Sequence, residues 1–298
     1  MNLLKRFERF LFDVDQPSYP PYHKGKYLEQ TFLNFYIQNL KEFEKLKHTF
    51  IPVYWTDLYL SKPFLRSELQ KELHQLDKNG YYFTVSQHDD APAEYLPPNT
   101  INFSAGGNIP NTIPIPLIAS RIPNVTAVDK DIFCSFVGSV SEPSSSFGYI
   151  AHKVRMNMLE ALVDKKEYIL KPKHWSPDIK KQREDLFLEL TSRSVFTLCP
   201  RGYGATSFRL YEAMQLNSIP VYIYHKKPHL PFEDKINWKE ICVLIEHEEI
   251  NSLDNILKNI DSSRITFMRN LIQNIYETYF TLENLGKNIF NILSDRNI

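Results

Sequence analysis

Apolar side chains recur at helical spacing through residues 32–48 (Phe32, Phe35, Tyr36, Leu40, Phe43, Leu46), a pattern that predicts an amphipathic helix. Residues 50–58 read as a buried strand plus a turn, and 65–76 as a second helix ended by Asp77-Lys-Asn-Gly80. The compact run Tyr81 to Ser86 reads as a strand. Helix, strand, helix, strand is the alternation of a parallel sheet covered by helices.

Between residues 91 and 124 the chain turns rich in Pro, Asn and Gly, with short apolar runs at 100–103 and 112–118 that read as small strands among loops. From Asp131 the alternation restarts. Strands are predicted at 132–138, 168–171, 195–199 and 219–224, and helices at 151–163, 184–192 and 207–216, with a Ser-rich loop at 139–146. The final stretch, 263–293, reads as one long helix. The restart divides the chain into an N-terminal domain over 1–125 and a C-terminal domain over 126–298. The latter includes the long helix, which could cross back to brace the first domain.

The 298 residues suit about two domains. A hydrophobic fraction of 43% and a charged fraction of 23% are ordinary globular values, which excludes extensive disorder and coiled coil. Thirty-five Lys plus Arg balance 35 Asp plus Glu, so no global field draws this chain to nucleic acid or to an anionic membrane. The three cysteines, Cys134, Cys199 and Cys242, are widely spaced and form no C-x-x-C pair. They suggest neither a disulfide framework nor a zinc ribbon, and the expectation is a reducing, cytoplasmic setting. No apolar run approaches the ~20 residues of a transmembrane helix, and no signal-peptide core is evident at residues 1–13.

Glycine is scarce, nine in all, and two of the nine flank Tyr203 in Cys199-Pro-Arg-Gly-Tyr-Gly-Ala-Thr-Ser-Phe-Arg209. This segment lies where a buried strand ends and a helix begins. There a glycine-permitted backbone and a helix N-terminus present N–H groups to an anion. Arg201 and Arg209 add forked cationic donors that match phosphate oxygens, so the expected guest of Arg201, Gly202, Tyr203 and Gly204 is a phosphate or diphosphate. Glu212 lies about 7 Å below the helix start and could accept hydrogen bonds from ribose hydroxyls. An Arg209–Glu212 surface pair is the plain alternative. Ser207 either caps the helix or donates to phosphate.

The stretch 192–223, with Leu198-Cys-Pro-Arg-Gly-Tyr-Gly-Ala-Thr-Ser-Phe-Arg209, Glu212-Ala213 and Ile219-Pro-Val221, resembles the signature of the exostosin-like glycosyltransferases, family 47 of the sugar-transferase classification. Weaker similarities are Phe136-Val-Gly-Ser139, Arg155, and Phe83-Thr-Val-Ser-Gln-His-Asp89. Together they span roughly residues 81–260. Ala205 stands where the family usually has Pro, and Asn217-Ser218 where it often has Gly-Cys. The resemblance implies an α/β GT-B fold, two Rossmann-like domains facing across a cleft. It implies an inverting transfer from a nucleotide-sugar, with UDP as the nucleotide, to a glycan hydroxyl, without a metal or other cofactor. Gly138 and Ser139 would let the backbone approach the diphosphate, unless they form only a tight turn. Arg155 would neutralise the leaving diphosphate, unless it is an ordinary helix-surface arginine.

Inversion needs a general base on the acceptor side. His88, Asp89 and Asp90, at the end of a predicted strand, are the candidates, with Asp89 favoured and His88 as its partner or substitute. A turn with local backbone hydrogen bonds is the competing reading. Cys199 reads as a buried strand-end residue, since no base is placed beside it. Two other classes fit parts of the chain: a metal-dependent hydrolase built on His88, Asp89 and Asp90, and a noncatalytic nucleotide-sugar-binding module.

Overall fold

The computed structural model describes residues 3–12, 26–118, 121–122, 128–140, 145–174 and 184–296. The chain divides into two compact units. One comprises Met1–Pro116 together with Tyr279–Ile298, and the other Leu117–Thr278. The expected boundary at 125/126 lies outside the described residues, as do 141–144 of the expected Ser-rich loop.

The first unit carries a parallel sheet of four strands in sequential order: β1 (Thr49–Phe50), β2 (Tyr81–Ser86), β3 (Asn99–Ser104) and β4 (Ile113–Pro114). β2 is apolar almost throughout because both faces are covered. Phe83 is fully buried with Phe32, Phe43, Phe50 and Phe103, and its ring lies 5.0 Å from that of Phe50. Its neighbour Tyr82 points the other way, into a cluster with Ile51, Val53, Trp55, Leu58, Leu69 and Leu73.

The expected strand over 50–58 is only two residues long, and Trp55–Ser61 is a helix instead. Pro52 offers no N–H to continue a ladder, and Trp55 and Leu58 then face the same apolar cluster one turn apart. The expected helix over 263–293 is two helices, Ser262–Tyr279 and Leu282–Asp295, separated at Phe280-Thr281. The second belongs to the first unit, where Phe290 packs edge-on against Phe43 at 5.1 Å. Its approach to the helix Leu28–Gln38 depends on Gly286, since a Cβ there would lie 2.3 Å from the Phe35 ring.

The second unit is a five-stranded parallel sheet: β5 (Ile132–Ser139), β6 (Tyr168–Lys173), β7 (Ser194–Pro200), β8 (Ile219–Tyr224) and β9 (Val243–Glu246), in the order β6-β5-β7-β8-β9. Counted within the unit this is 2-1-3-4-5, a doubly wound order whose switch point falls between β5 and β7. Connections from those two strands leave in opposite directions, so their carboxyl ends border a crevice. The helices Ser146–Leu162, Glu184–Arg193 and Phe208–Gln215 supply Val154, Met158, Phe187, Leu190, Leu210 and Met214 to the buried interior. Both the α/β class and the pair of Rossmann-like parallel sheets agree with expectation. No helix among the described residues is long and apolar enough to cross a membrane.

Asn217 closes the helix Phe208–Gln215 in a left-handed conformation, φ 52°. Its amide donates to the Met214 carbonyl at 3.0 Å and that of Ser218 to Ala213 at 3.0 Å, a Schellman pattern. This explains the departure at Asn217: after glycine, asparagine is the residue that best tolerates that backbone.

Replacing Gly286 tests the assignment of the last helix. In a solvent-facing helix, Gly286→Leu would gain up to about 1 kcal/mol of propensity. Against the Phe35 ring the expected result is a net loss of about 1–3 kcal/mol by urea unfolding, and a gain would show that the two helices do not meet.

Candidate active site

The carboxyl ends of β5 and β7 are joined by one side chain. Arg155, projecting from the helix Ser146–Leu162, donates from Nη1 to the Ser139 carbonyl at 2.5 Å and to Ser139 Oγ at 3.2 Å. Its Nε donates to the Arg201 carbonyl at 3.1 Å and its Nη2 to that of Pro200 at 3.4 Å. A planar fork with five N–H donors can hold several divergent carbonyls at once; an ammonium cannot. Burial, with Arg209 and Arg201 close by, pushes this guanidinium down to about 10, so it stays cationic at neutral pH.

Arg201 is 5% exposed and turns back over its own loop, donating from Nε to the Gly202 carbonyl at 3.3 Å and from Nη2 to that of Tyr203 at 3.1 Å. The loop closes on itself through Gly202 N–H donating to the Thr206 carbonyl at 2.9 Å. A residue outside the motif also pins it: Tyr222, on β8, donates its hydroxyl to the Ala205 carbonyl at 2.6 Å. Among the described residues nothing takes the amides of Gly204, Ala205 and Thr206. Tyr203 is exposed, with its ring 6.0 Å from that of Phe147.

Arg209 donates from Nε to the Val137 carbonyl at 2.9 Å, pairs with Glu212, and lies 3.7 Å above the Phe187 ring. Among the described residues, three guanidinium groups thus gather at the switch point with one carboxylate, Glu212, beside them. Glu212 binds Arg209 through Oε2, so the ion pair given as the alternative and an acceptor oxygen, Oε1, coexist. Ser207 is the helix N-cap, its Oγ accepting from Arg209 N at 3.4 Å. Gly138 lies within β5, where a Cβ would come 2.7 Å from the buried Phe136 ring, so its small size serves packing there. Ser139 spends its carbonyl and its hydroxyl on Arg155. Cys199 is fully buried, burial pushes its thiol up, and it donates to the Thr197 carbonyl at 3.2 Å, which is structural behaviour.

His88, Asp89 and Asp90 follow β2 in the first unit. Nδ1 of His88 accepts from the Asp90 amide at 3.1 Å, and the ring lies 4.9 Å from that of Tyr59. Burial lowers the His88 pKa, leaving the imidazole neutral at pH 7. Asp89 is 8% exposed and sits against Gly106, where a Cβ would come 2.3 Å from Asp89 Cα. Asp90 accepts from Asn108 Nδ2 at 2.8 Å. His88 and Asp90 thus engage different groups. Among the described residues the group of His and Glu ligand atoms that does converge is His225, His247 and Glu248.

Glu29 is a residue that motif reasoning missed. It is 2% exposed, and Oε1 accepts from Thr56 N at 3.1 Å, Thr56 Oγ1 at 2.8 Å and Gln87 N at 2.9 Å. It ties the residue after β2, immediately before His88, to the start of the helix Trp55–Ser61. Oε2 is buried with no hydrogen-bond partner among the described residues, and burial raises the pKa. The available signal was a carboxylate on an apolar helix face, three and four residues before Phe32 and Leu33.

The Exostosin GT47 domain model matches residues 98–260, just over half of the chain. A protein of Oryza sativa subsp. japonica named a probable glucuronosyltransferase is 28% identical over 163 residues, 54% of this chain and 36% of that protein. Exostosin-1 of Drosophila melanogaster is 34% identical over 108 residues, 36% of this chain and 14% of that protein. The chain therefore spans well under half the length of these relatives. Among solved structures, a pneumococcal O-GlcNAc transferase in complex with UDP and GlcNAc gives a TM-score of 0.42 at 12% identity, covering 78% of this chain and 47% of that one. An alpha-glucosyltransferase in complex with UDP gives 0.38 at 11% identity, covering 98% and 94%.

Two outcomes follow from this geometry. Arg155→Ala orphans three strand-end carbonyls and is expected to cost about 2–3 kcal/mol in urea unfolding; Arg155→Lys should recover little of it, and full recovery by lysine would show that charge alone holds the strands. For Glu29, the folded chain keeps a proton that the unfolded chain releases in the ordinary glutamate range. Its contribution to stability is therefore complete below that range and is lost as the pH rises through the folded value. As the pH rises above the ordinary glutamate value of about 4.3, the wild type should lose stability relative to Glu29→Gln, whereas parallel curves would mean that the carboxyl is ionised in the fold.

Proposed function

This chain belongs to the Exostosin GT47 family, and on that footing we propose that it is a glycosyltransferase moving a sugar from a UDP-sugar to a hydroxyl of a glycan acceptor, with inversion at the anomeric carbon. The observation that carries the reading is the gathering of Arg155, Arg201 and Arg209 at the switch point, with Glu212 as the carboxylate among them in the described residues. In the reaction the acceptor oxygen bonds to the anomeric carbon as the bond from that carbon to the diphosphate oxygen breaks. The electron pair leaves on the diphosphate, and fixed positive charge lowers the barrier most where that negative charge develops.

In this reading Arg201 and Arg209 meet the phosphates with the positive charge of their guanidinium groups. The unshared amides of Gly204, Ala205 and Thr206 supply further donors beside the N-terminus of the helix Phe208–Gln215. Arg155 acts on the diphosphate by its charge while its donors hold the two strand ends. Oε1 of Glu212 accepts from the ribose hydroxyls. Three guanidinium groups can supply the charge that a divalent ion contributes in other transferases, so the transfer itself needs no metal. Asp89 removes the acceptor proton, with the neutral imidazole of His88 as its partner.

UDP titration by calorimetry, alongside a thermal-shift panel of nucleotide-sugars, tests the reading. A ligand at 100 times its dissociation constant adds about 2.7 kcal/mol to native-state stability. Arg201→Ala and Arg209→Ala should each weaken UDP binding by about tenfold or more. Asp89→Asn should leave UDP affinity intact and reduce transfer by roughly 10²–10⁴-fold. Unchanged UDP affinity in both arginine variants would remove the site from consideration.

A further inference from the structure

β8 and β9 are adjacent parallel strands, and their last register pair is Tyr224 with Glu246. The next residues along each strand are His225 and His247, so two imidazoles emerge side by side at the carboxyl edge of the sheet, on strands about 4.8 Å apart. Their ring centroids are 6.0 Å apart. The 3₁₀ turn His247–Ser252 then brings Glu248 back, placing its Oε1 3.8 Å from His225 Nδ1. One ligand atom from each of the three lies within 4.8 Å of the others.

From this convergence we infer that His225, His247 and Glu248 form a site for a borderline divalent transition metal, of which Zn²⁺ is the best match. Two imidazoles and one carboxylate are a donor set suited to zinc, with the fourth position open to water or to another oxygen ligand. Ligands on a tetrahedral zinc lie about 3.4 Å apart, so closing the cluster needs a movement of roughly 1 Å. The Glu248 side chain, 60% exposed, has the freedom to make it.

Three further features agree. His225 Nδ1 is buried and has no hydrogen-bond partner, a cost that an ion at that place would remove. Nε2 of His247 lies 2.9 Å from Asn157 Nδ2. A half-turn of that amide puts its oxygen against the ring, so that His247 would carry its proton on Nε2 and offer Nδ1 to the metal, the way outer-shell groups orient ligating histidines. The surrounding charge is acidic, since Glu246, Glu248 and Glu249 act on Tyr224 next to His225, with Lys153 as the cation acting on His247. Lys226 and Lys227 follow His225 in the chain and are exposed.

The site shares no residue with the arginine loop and does not depend on the transferase reading. It would clamp the ends of β8 and β9. Through Asn157 it would also brace the helix Ser146–Leu162, which carries Arg155 two residues earlier.

The experiment is Zn²⁺ titration of the full chain after chelator treatment, read by calorimetry, with Co²⁺ absorption as a report of coordination geometry. The expected result is one Zn²⁺ per chain, a Co²⁺ spectrum of tetrahedral type, and a raised thermal midpoint with zinc. Affinity should fall at least tenfold in His247→Ala and in His225→Gln, the latter chosen to preserve volume. Asn157→Ala should weaken binding while leaving the stoichiometry at one. Circular dichroism and urea unfolding of the same preparations establish that the variants are folded. Absence of stoichiometric zinc binding in the wild type, or unchanged affinity in folded His225→Gln and His247→Ala, would overturn the proposal.

Discussion

Parallel strands that leave a sheet in opposite directions at a switch point have no turn to hold their carboxyl ends together. In this protein Arg155 joins them by hydrogen bonds to the carbonyls of Ser139, Pro200 and Arg201. Around that bridge the second unit accumulates positive charge that a folded chain would ordinarily avoid. Arg201 and Arg209 both press on Arg155, and among the described residues Glu212 is the one carboxylate in the group. Backbone carbonyls and the Phe187 ring offset part of the desolvation and repulsion but bring no negative charge. A dianionic ligand would offset the remainder, which is why the arrangement suits a diphosphate better than a neutral sugar.

The loop is shaped by contacts distant in sequence. Tyr222 reaches from β8 to the Ala205 carbonyl, and Gly202 and Thr206 close the turn. At the far end of the following helix, Asn217 takes a left-handed conformation and completes the cap. The loop therefore presents its remaining amides from a backbone fixed at both ends, so little ordering remains for a ligand to impose.

In the first unit, alternation along β2 sends Phe83 and Tyr82 to opposite faces, and each face finds its own helices. Periodicity made most helices and strands legible, because side-chain spacing is a local property, although the run read as one helix over 32–48 is two, Leu28–Gln38 and Leu40–Phe43. It failed at 50–58, where an apolar run suits strand and helix equally and Pro52 ends the ladder early. It also merged two helices at the C-terminus, since the pattern continues in phase past Phe280-Thr281 while the chain passes from one unit to the other. Glu29 stayed hidden for a related reason. Its partners Thr56 and Gln87 are 27 and 58 residues away, and no motif joins them.

The amino-acid sequence by itself determined the α/β class and the glycine-flanked, arginine-bearing loop after β7, because each is written in neighbouring residues: spacing, strand-to-helix transitions and a contiguous motif. The tertiary structure decided what the arginines hold, that Gly138 makes room for Phe136, and that His225 and His247 stand side by side. These depend on strand order and register, which set the neighbours of residues far apart in the chain, and no local pattern encodes that pairing.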